Sequence, residues 1–412
     1  MIKRYILIPL LLVGVSAYGQ SLPETVSLDT VLALASEANP RLSLERQSVE
    51  AAQADRRTAG AYPNPTVSYG KQRQGGTQTQ YDGKWSQNAS IEFPLLIAGQ
   101  RGVRVEAAEK GIDAARARVA ASGNDLSADA GAAYIALLAA QERRGALTSS
   151  LKELERLREI VAGRQSSGMA SEYDLLRMDI EQESWRSRVA EAEADLVDKQ
   201  SQLAALLGFS GWKPRASGLL RPLEVRPEAA LPTNNPSLIA AKKEEEFALA
   251  GVEVARRERF PNVSINASRT STSDPFGAAT GLGISVEIPI LDTRGGAVDR
   301  ARVEAQSSAF RRQILEAEIQ SDLSRYAAQV THRSNALEQF RLRMASRFPA
   351  LNQMAEDAYR LGKGSIVELL DATRTRFETQ LAQIDLTANL LEAQVRWLAV
   401  SGKLSSLNPS TR

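Results

Sequence analysis

Gly168-Met-Ala-Ser171-Glu-Tyr-Asp174-Leu175-Leu176 returns roughly 195 residues later as Gly362-Lys-Gly-Ser365-Ile-Val-Glu368-Leu369-Leu370. Each copy reads as a turn between helices: glycine allows a tight reversal, serine caps the next helix, and an acid with paired leucines opens it. The recurrence extends outward at the same spacing. Asn39-Pro40 returns as Asn235-Pro236, Phe93-Pro94-Leu95 as Ile288-Pro289-Ile290, and Gly208 as Gly402. One supersecondary unit is thus built twice, over about residues 28–208 and 232–402, with a Pro- and Gly-rich linker at 209–231. The two repeats form a single unit spanning 20–412. So long a repeat is expected to be completed by further copies around an axis.

Within each repeat the proline-free stretches 95–213 and 291–348 predict long helices. The first runs from near Gly99 to about Gly163, and at 1.5 Å per residue some 65 residues reach about 100 Å. Its partner runs from Ser171 to Leu207. The second repeat predicts helices from Gly295 to about Arg360 and from Ser365 to Ser401. Pro349 falls inside the first of these and predicts a kink near Phe348. Alanine crowds these helices, as at Ala107, Ala108, Ala114 and Ala115, which lets axes approach along a continuous coiled-coil seam.

Four short segments alternate instead with period two: Pro65-Thr-Val67-Ser-Tyr69-Gly-Lys71, Gln87-Asn-Ala89-Ser-Ile91-Glu-Phe93, Asn262-Val263-Ser-Ile265-Asn-Ala267-Ser and Gly281-Leu282-Gly-Ile284-Ser-Val286-Glu-Ile288. Such alternation describes a half-buried strand, or a barrel strand with lipid outside and water within. Pro94 and Pro289 follow strands and precede the long helices, so they mark the strand–helix transitions. The fold class expected is mainly α with a small β part, internally duplicated.

Residues 1–19 carry Lys3 and Arg4, an apolar run too short to span a bilayer, and Ala17-Tyr18-Gly19, which together read as a secretory signal peptide. Its removal takes the net charge from +2 to 0, which gives no electrostatic argument for nucleic acid. With no cysteine in the chain, there are neither disulfides nor a thiol for lipid attachment. No later stretch is apolar enough for a transmembrane helix, which leaves a closed β-barrel as the way to span lipid. Four strands cannot close one. Two copies would give eight strands with a filled interior, whereas three give twelve and an open lumen, so a homotrimer is expected. The interface aromatics of such a barrel would be Tyr69, Tyr81 and Trp85; scattered residues of a small sheet are the other reading.

Two repeats of helix, two strands, long helix and helix, with the GxxSxx[DE]LL turn, resemble the TolC-type outer-membrane efflux proteins. The resemblance is most specific in Tyr359-Arg-Leu-Gly362-Lys-Gly-Ser365-Ile-Val-Glu368-Leu369-Leu370-Asp371-Ala372-Thr373 and covers essentially the whole mature chain. Pro63-Asn64-Pro65 and the chain length are similar to the cobalt–zinc–cadmium efflux branch. The resemblance implies a twelve-stranded barrel in outer-membrane lipid, a helical barrel crossing the periplasm, and a passive exit duct. A periplasmic adaptor would dock on it. An inner-membrane pump of the resistance-nodulation-division type would supply the cargo. Two other readings stand beside it: a soluble periplasmic coiled-coil scaffold or adaptor, and the duct of a type I protein secretion system.

No catalytic constellation is visible, and no cofactor or metal site is expected: the one histidine, His332, sits in mid-helix without cysteines. Glu368 and Asp371 lie three apart on one helix face. By resemblance Asp371 lines the narrow periplasmic aperture with Glu368 beside it, and a ring of three carboxylates would favour cations. Alternatively, both acids simply favour the helix N-terminus. The resemblance further implies that the turns containing Gly168, Ser171, Gly362, Gly364 and Ser365 receive the adaptor's hairpin tips. Arg164, Arg360 and Lys363 are candidates to pair with its acids.

Overall fold

The computed structural model describes residues 22–37, 39–73, 84–228, 232–273, 277–344 and 347–404. The signal-peptide reading of residues 1–19 and the interface role of Tyr81 lie outside the described residues. In chain order the elements of the first repeat are β1 (Thr25–Val26), α1 (Leu28–Glu37), α2 (Pro40–Ala59), β2 (Thr66–Arg73), β3 (Trp85–Leu95), α3 (Gln100–Ser166) and α4 (Glu172–Leu207). The linker holds β4 (Arg215–Ala216). The second repeat has α5 (Pro236–Arg257), β5 (Asn262–Thr272), β6 (Ala278–Glu287), α6 (Gly295–Met344), α7 (Arg347–Arg360) and α8 (Ile366–Val400).

The 67-residue α3 and its partners stack in three layers. At one end the strands form an antiparallel sheet in the order β2-β3-β5-β6. Below it α2, α3, α5 and α6 pack side by side, and further down the neighbours are α4, α3, α8 and then α7. First-repeat elements β2, α2 and α4 occupy one edge throughout, and second-repeat elements β6, α6 and α7 the other. The wall is therefore open at both sides.

The sheet register assigns a face to every strand residue. Val67, Ile91, Ala267 and Leu282 form one cross-strand row, and Phe93, Ile265 and Ile284 the next. This face is apolar, and none of the described residues covers it: Leu282 is 87% exposed and Ile284 74%. The opposite face carries Ser68, Ser90, Asn266 and Gly283. Exposed Ile97, Phe260, Ile290 and Leu291 prolong the apolar band towards the helices. A bare apolar face on a protein exported into water requires another apolar phase.

Pro94, read from the sequence as the residue after the strand, is instead the penultimate residue of β3, paired with Ser264. It is tolerated because β2 begins only at Thr66, opposite Glu92, so no β2 residue pairs with Pro94 and no ladder bond on that side is lost. Pro289 lies two residues past the end of β6. Of the helix expected over Gly295–Arg360, the described residues form α6 and α7, and the kink expected near Phe348 falls beside residues outside the described ones. Pro349 lies within the described span of α7.

Two buried clusters hold the helices. One lies at the level of the linker and includes Leu137, Leu207, Leu323, Leu390 and Trp397. The other lies towards the turns and includes Leu157, Met178, Trp185, Leu369 and Phe377. Trp185 meets Phe377 edge-on at 5.1 Å between ring centroids. The linker is a strap across α3 and α8. Gln141 grips both backbone groups of Ala216 at 2.7 and 3.0 Å, and Gln394 does the same to Leu223 at 2.8 and 2.9 Å. Gln141 thereby pairs the backbone groups of Ala216 that face away from β1, the strand neighbour of β4, and Gln394 does the same for Leu223, which lies in no strand.

Candidate functional site

The two turns between helices lie side by side at the end of the molecule remote from the sheet. Gly168 and Gly362 both adopt left-handed φ, +74° and +73°, which glycine does without the Cβ penalty. In the first turn Met169 N–H donates to Arg164 O at 2.8 Å, and in the second Lys363 N–H donates to Ala358 O at 2.9 Å, closing the preceding helices. Ser171 Oγ accepts from Asp174 N–H at 3.2 Å and starts α4. Ser365 Oγ accepts from Glu368 N–H at 3.2 Å and starts α8. Gly364 has no room for a side chain: a Cβ there would stand 3.1 Å from Ala358 Cβ and 3.3 Å from Tyr359 N.

Arg164 ties the two turns together. Its guanidinium donates to the carbonyls of Tyr359 and Arg360, both at 2.6 Å, and to Met169 O at 3.0 Å. The same group lies 5.0 Å from the centre of the Tyr359 ring. Tyr359 is buried and its hydroxyl donates to Asp174 Oδ2 at 3.3 Å, so α7 is also fastened to the start of α4. Burial, followed by the neighbouring Asp174 carboxylate, pushes the Tyr359 phenol up to about 12. One helical turn further from the tip, the buried Glu356 carboxylate receives Arg156 at 2.6 and 3.0 Å and Arg360 at 2.7 Å. Hydrogen bonding to Arg156 holds the Glu153 carboxyl below its ordinary value.

These contacts change the roles read from sequence. Arg164 and Arg360, candidates to meet a partner's acids, also make contacts inside the chain, Arg360 through Glu356 with its own side chain half exposed. Glu368 turns back on its own helix, accepting from Ser365 N–H at 2.9 Å in a capping box. Asp371 stands on the same exposed side of α8, with no hydrogen bond or ion pair among the described residues. Sequence reading missed Tyr359 and Glu356 as the groups that organise the tip. The available signal was position: Arg164 and Tyr359 occupy nearly equivalent places before the turn in the two repeats. His332 is exposed on α6, and among the described residues no three His, Cys, Asp or Glu side chains converge on a point. None of the described helices is long and apolar enough to cross a membrane.

The family model for outer membrane efflux proteins matches residues 31–209 and 229–403. This chain belongs to the outer membrane efflux protein family. It is similar to the cobalt-zinc-cadmium resistance protein CzcC of Cupriavidus metallidurans, at 27% identity over 89% of this chain and 88% of that protein. Among solved structures, a CusC transmembrane channel aligns with a TM-score of 0.78 at 19% identity, covering 93% of this chain and 95% of that one. The outer-membrane channel OprN aligns with a TM-score of 0.77 at 20% identity, covering 91% and 90%. An outer membrane efflux protein is a passive channel and no enzyme. It sits in the outer membrane and extends into the periplasm, and it works as a trimer with an adaptor and an inner-membrane pump. The uncovered sheet is its share of the barrel, and the soluble-scaffold reading is set aside.

Proposed function

We propose that this efflux protein is the exit duct for divalent transition-metal cations such as cobalt, zinc and cadmium, expelled by a pump of the resistance-nodulation-division type. The similarity to CzcC along nearly the whole of both chains supports the cargo class. The tips, with Gly168, Ser171, Gly362, Gly364 and Ser365, receive the adaptor, and Asp371 forms the acidic ring at the aperture. Glu368 stands beside it, held by its cap.

The observation that carries the duct is the shared pair of open edges in all three layers. On α4, Tyr173, Leu176 and Ile180 are exposed at heptad spacing. On α6, Val303, Phe310 and Ile314 keep the same rhythm, also exposed. Each stripe is a coiled-coil seam with no partner among the described residues. Joining the β2–α2–α4 edge of one protomer to the β6–α6–α7 edge of the next, layer by layer, is a heterologous contact, which closes into a ring. Strand edges β2 and β6 are removed by the same step.

The direct test is metal content. Cells lacking this protein should accumulate cobalt, zinc and cadmium when challenged, and the wild-type gene should reverse this. Unchanged metal content, with the pump intact, would remove the metal cargo.

A further inference from the structure

The register sorts the charges of the sheet by face and by height. Among the described residues the four strands β2, β3, β5 and β6 hold five charged side chains. Glu92 and Glu287 lie on the polar face near the helices, where Glu287 accepts from Asn262 Nδ2 at 2.7 Å. Lys71, Arg73 and Arg269 lie on the apolar face, all at the far end. Their rows are Tyr69–Ala89–Arg269–Thr280, then Lys71–Gln87–Ser271–Ala278, then Arg73–Trp85. No acid shares these rows, and all three basic residues are exposed. The far end points away from the periplasmic helices, so these cations face outward just above the apolar band.

We propose that Lys71, Arg73 and Arg269 form a binding site for the phosphate-bearing headgroup of an outer-leaflet glycolipid. The proposal rests on the sheet being a lipid-facing wall. Strands are about 4.8 Å apart and two residues advance about 6.6 Å, which puts the Lys71 and Arg269 backbones roughly 12 Å apart. Their long side chains span that gap and converge on one headgroup. Guanidinium groups bind phosphate in a forked, two-bond geometry. The row below supplies Val67 and Leu282, exposed on the same face, as the surface for acyl chains. A free anion would leave that apolar surface unused, so the fit is to a lipid. Tyr69 and Trp85 on the same rows are amphipathic rings of the kind favoured at the water–lipid boundary. Three protomers give three such sites around the barrel.

The test uses the mature trimer in detergent and native mass spectrometry of retained lipid. The probes are lipopolysaccharide, the same lipid stripped of phosphate, phosphatidylcholine and inorganic phosphate. Wild type should retain lipopolysaccharide over the other two lipids. Combined Lys71→Gln, Arg73→Gln and Arg269→Gln should weaken that binding by roughly a hundredfold, since each cation near an anionic surface contributes about fivefold. Retention of the stripped lipid should not change, and the combined variant should still form a trimer. Equal retention of intact and stripped lipid by wild type would overturn the proposal, as would undiminished binding by the variant or displacement by millimolar inorganic phosphate. A wild-type protein that gives no bilayer-inserted trimer would bring down the barrel wall itself, and this site with it.

Discussion

Asn39 and Asn235 do the same work at equivalent points of the two repeats, each bridging the start of one helix and the end of another. Asn39 Oδ1 accepts from Arg41 N–H at 2.9 Å while its Nδ2 donates to Leu206 O at 2.9 Å. Asn235 Oδ1 accepts from Leu238 N–H at 2.9 Å while its Nδ2 donates to Val400 O at 2.7 Å. Both side chains are buried. Replacing either with alanine removes a cap and orphans a carbonyl, a loss of about 2–3 kcal/mol. Faster heat dissociation of the trimer should report it. The two losses should add, because the sites share no partner. Aspartate should not rescue, since it would face the Leu206 or Val400 carbonyl with a second acceptor.

The glycines beside these asparagines differ from those at the tips. Gly208 has φ +83°, and a Cβ there would meet Pro40 Cδ at 2.6 Å. Gly168 has φ +74° with open space around it. Gly168→Ala should therefore lose only the left-handed preference, about 1 kcal/mol. Gly208→Ala adds a clash between the end of α4 and the start of α2, and should impair folding. Trimer yield from membranes compares the two.

Arg164 and Tyr359 set how firmly the tips stay closed. Arg164→Ala should raise hydrogen exchange in residues 358–366 several-fold and leave the sheet unaffected. Tyr359 gives a pH signature. Its phenol is raised from its ordinary value near 10 to about 12, so the stability it contributes is complete below pH 10 and is lost as pH rises through 12. Exchange at the tips should accelerate across that window in the wild type. Tyr359→Phe should remove the step and lower protection at neutral pH only slightly, because the ring stays packed under Arg164.

Asp371 should act on permeation and not on assembly. Asp371→Asn should weaken divalent-cation block of single-channel current by about tenfold with trimer yield intact. Glu368→Gln should mainly loosen the start of α8, since its carboxylate belongs to the cap. Identical block in both variants and wild type would remove the acidic ring.

Much of this was legible in the chain because glycine, proline and serine mark turns by covalent necessity. The repeat placed the tips, the proline-free stretches gave the long helices, and alternation gave the strands. The strand face that the alternation singled out is the face that the register leaves bare. What stayed hidden depends on distance along the chain. Nothing near Gln141 or Gln394 says that they clamp a strap 75 and 171 residues away. Arg164 read as an exposed cation because two of its three carbonyl acceptors, those of Tyr359 and Arg360, belong to the other repeat.

Central to the account is that one chain supplies a third of a tube. Sedimentation of the mature protein in detergent, with bound detergent subtracted, measures the number of chains per particle. Three chains per particle, extractable from outer membranes only with detergent, is the expected result. A monodisperse single chain that remains soluble without detergent would contradict it.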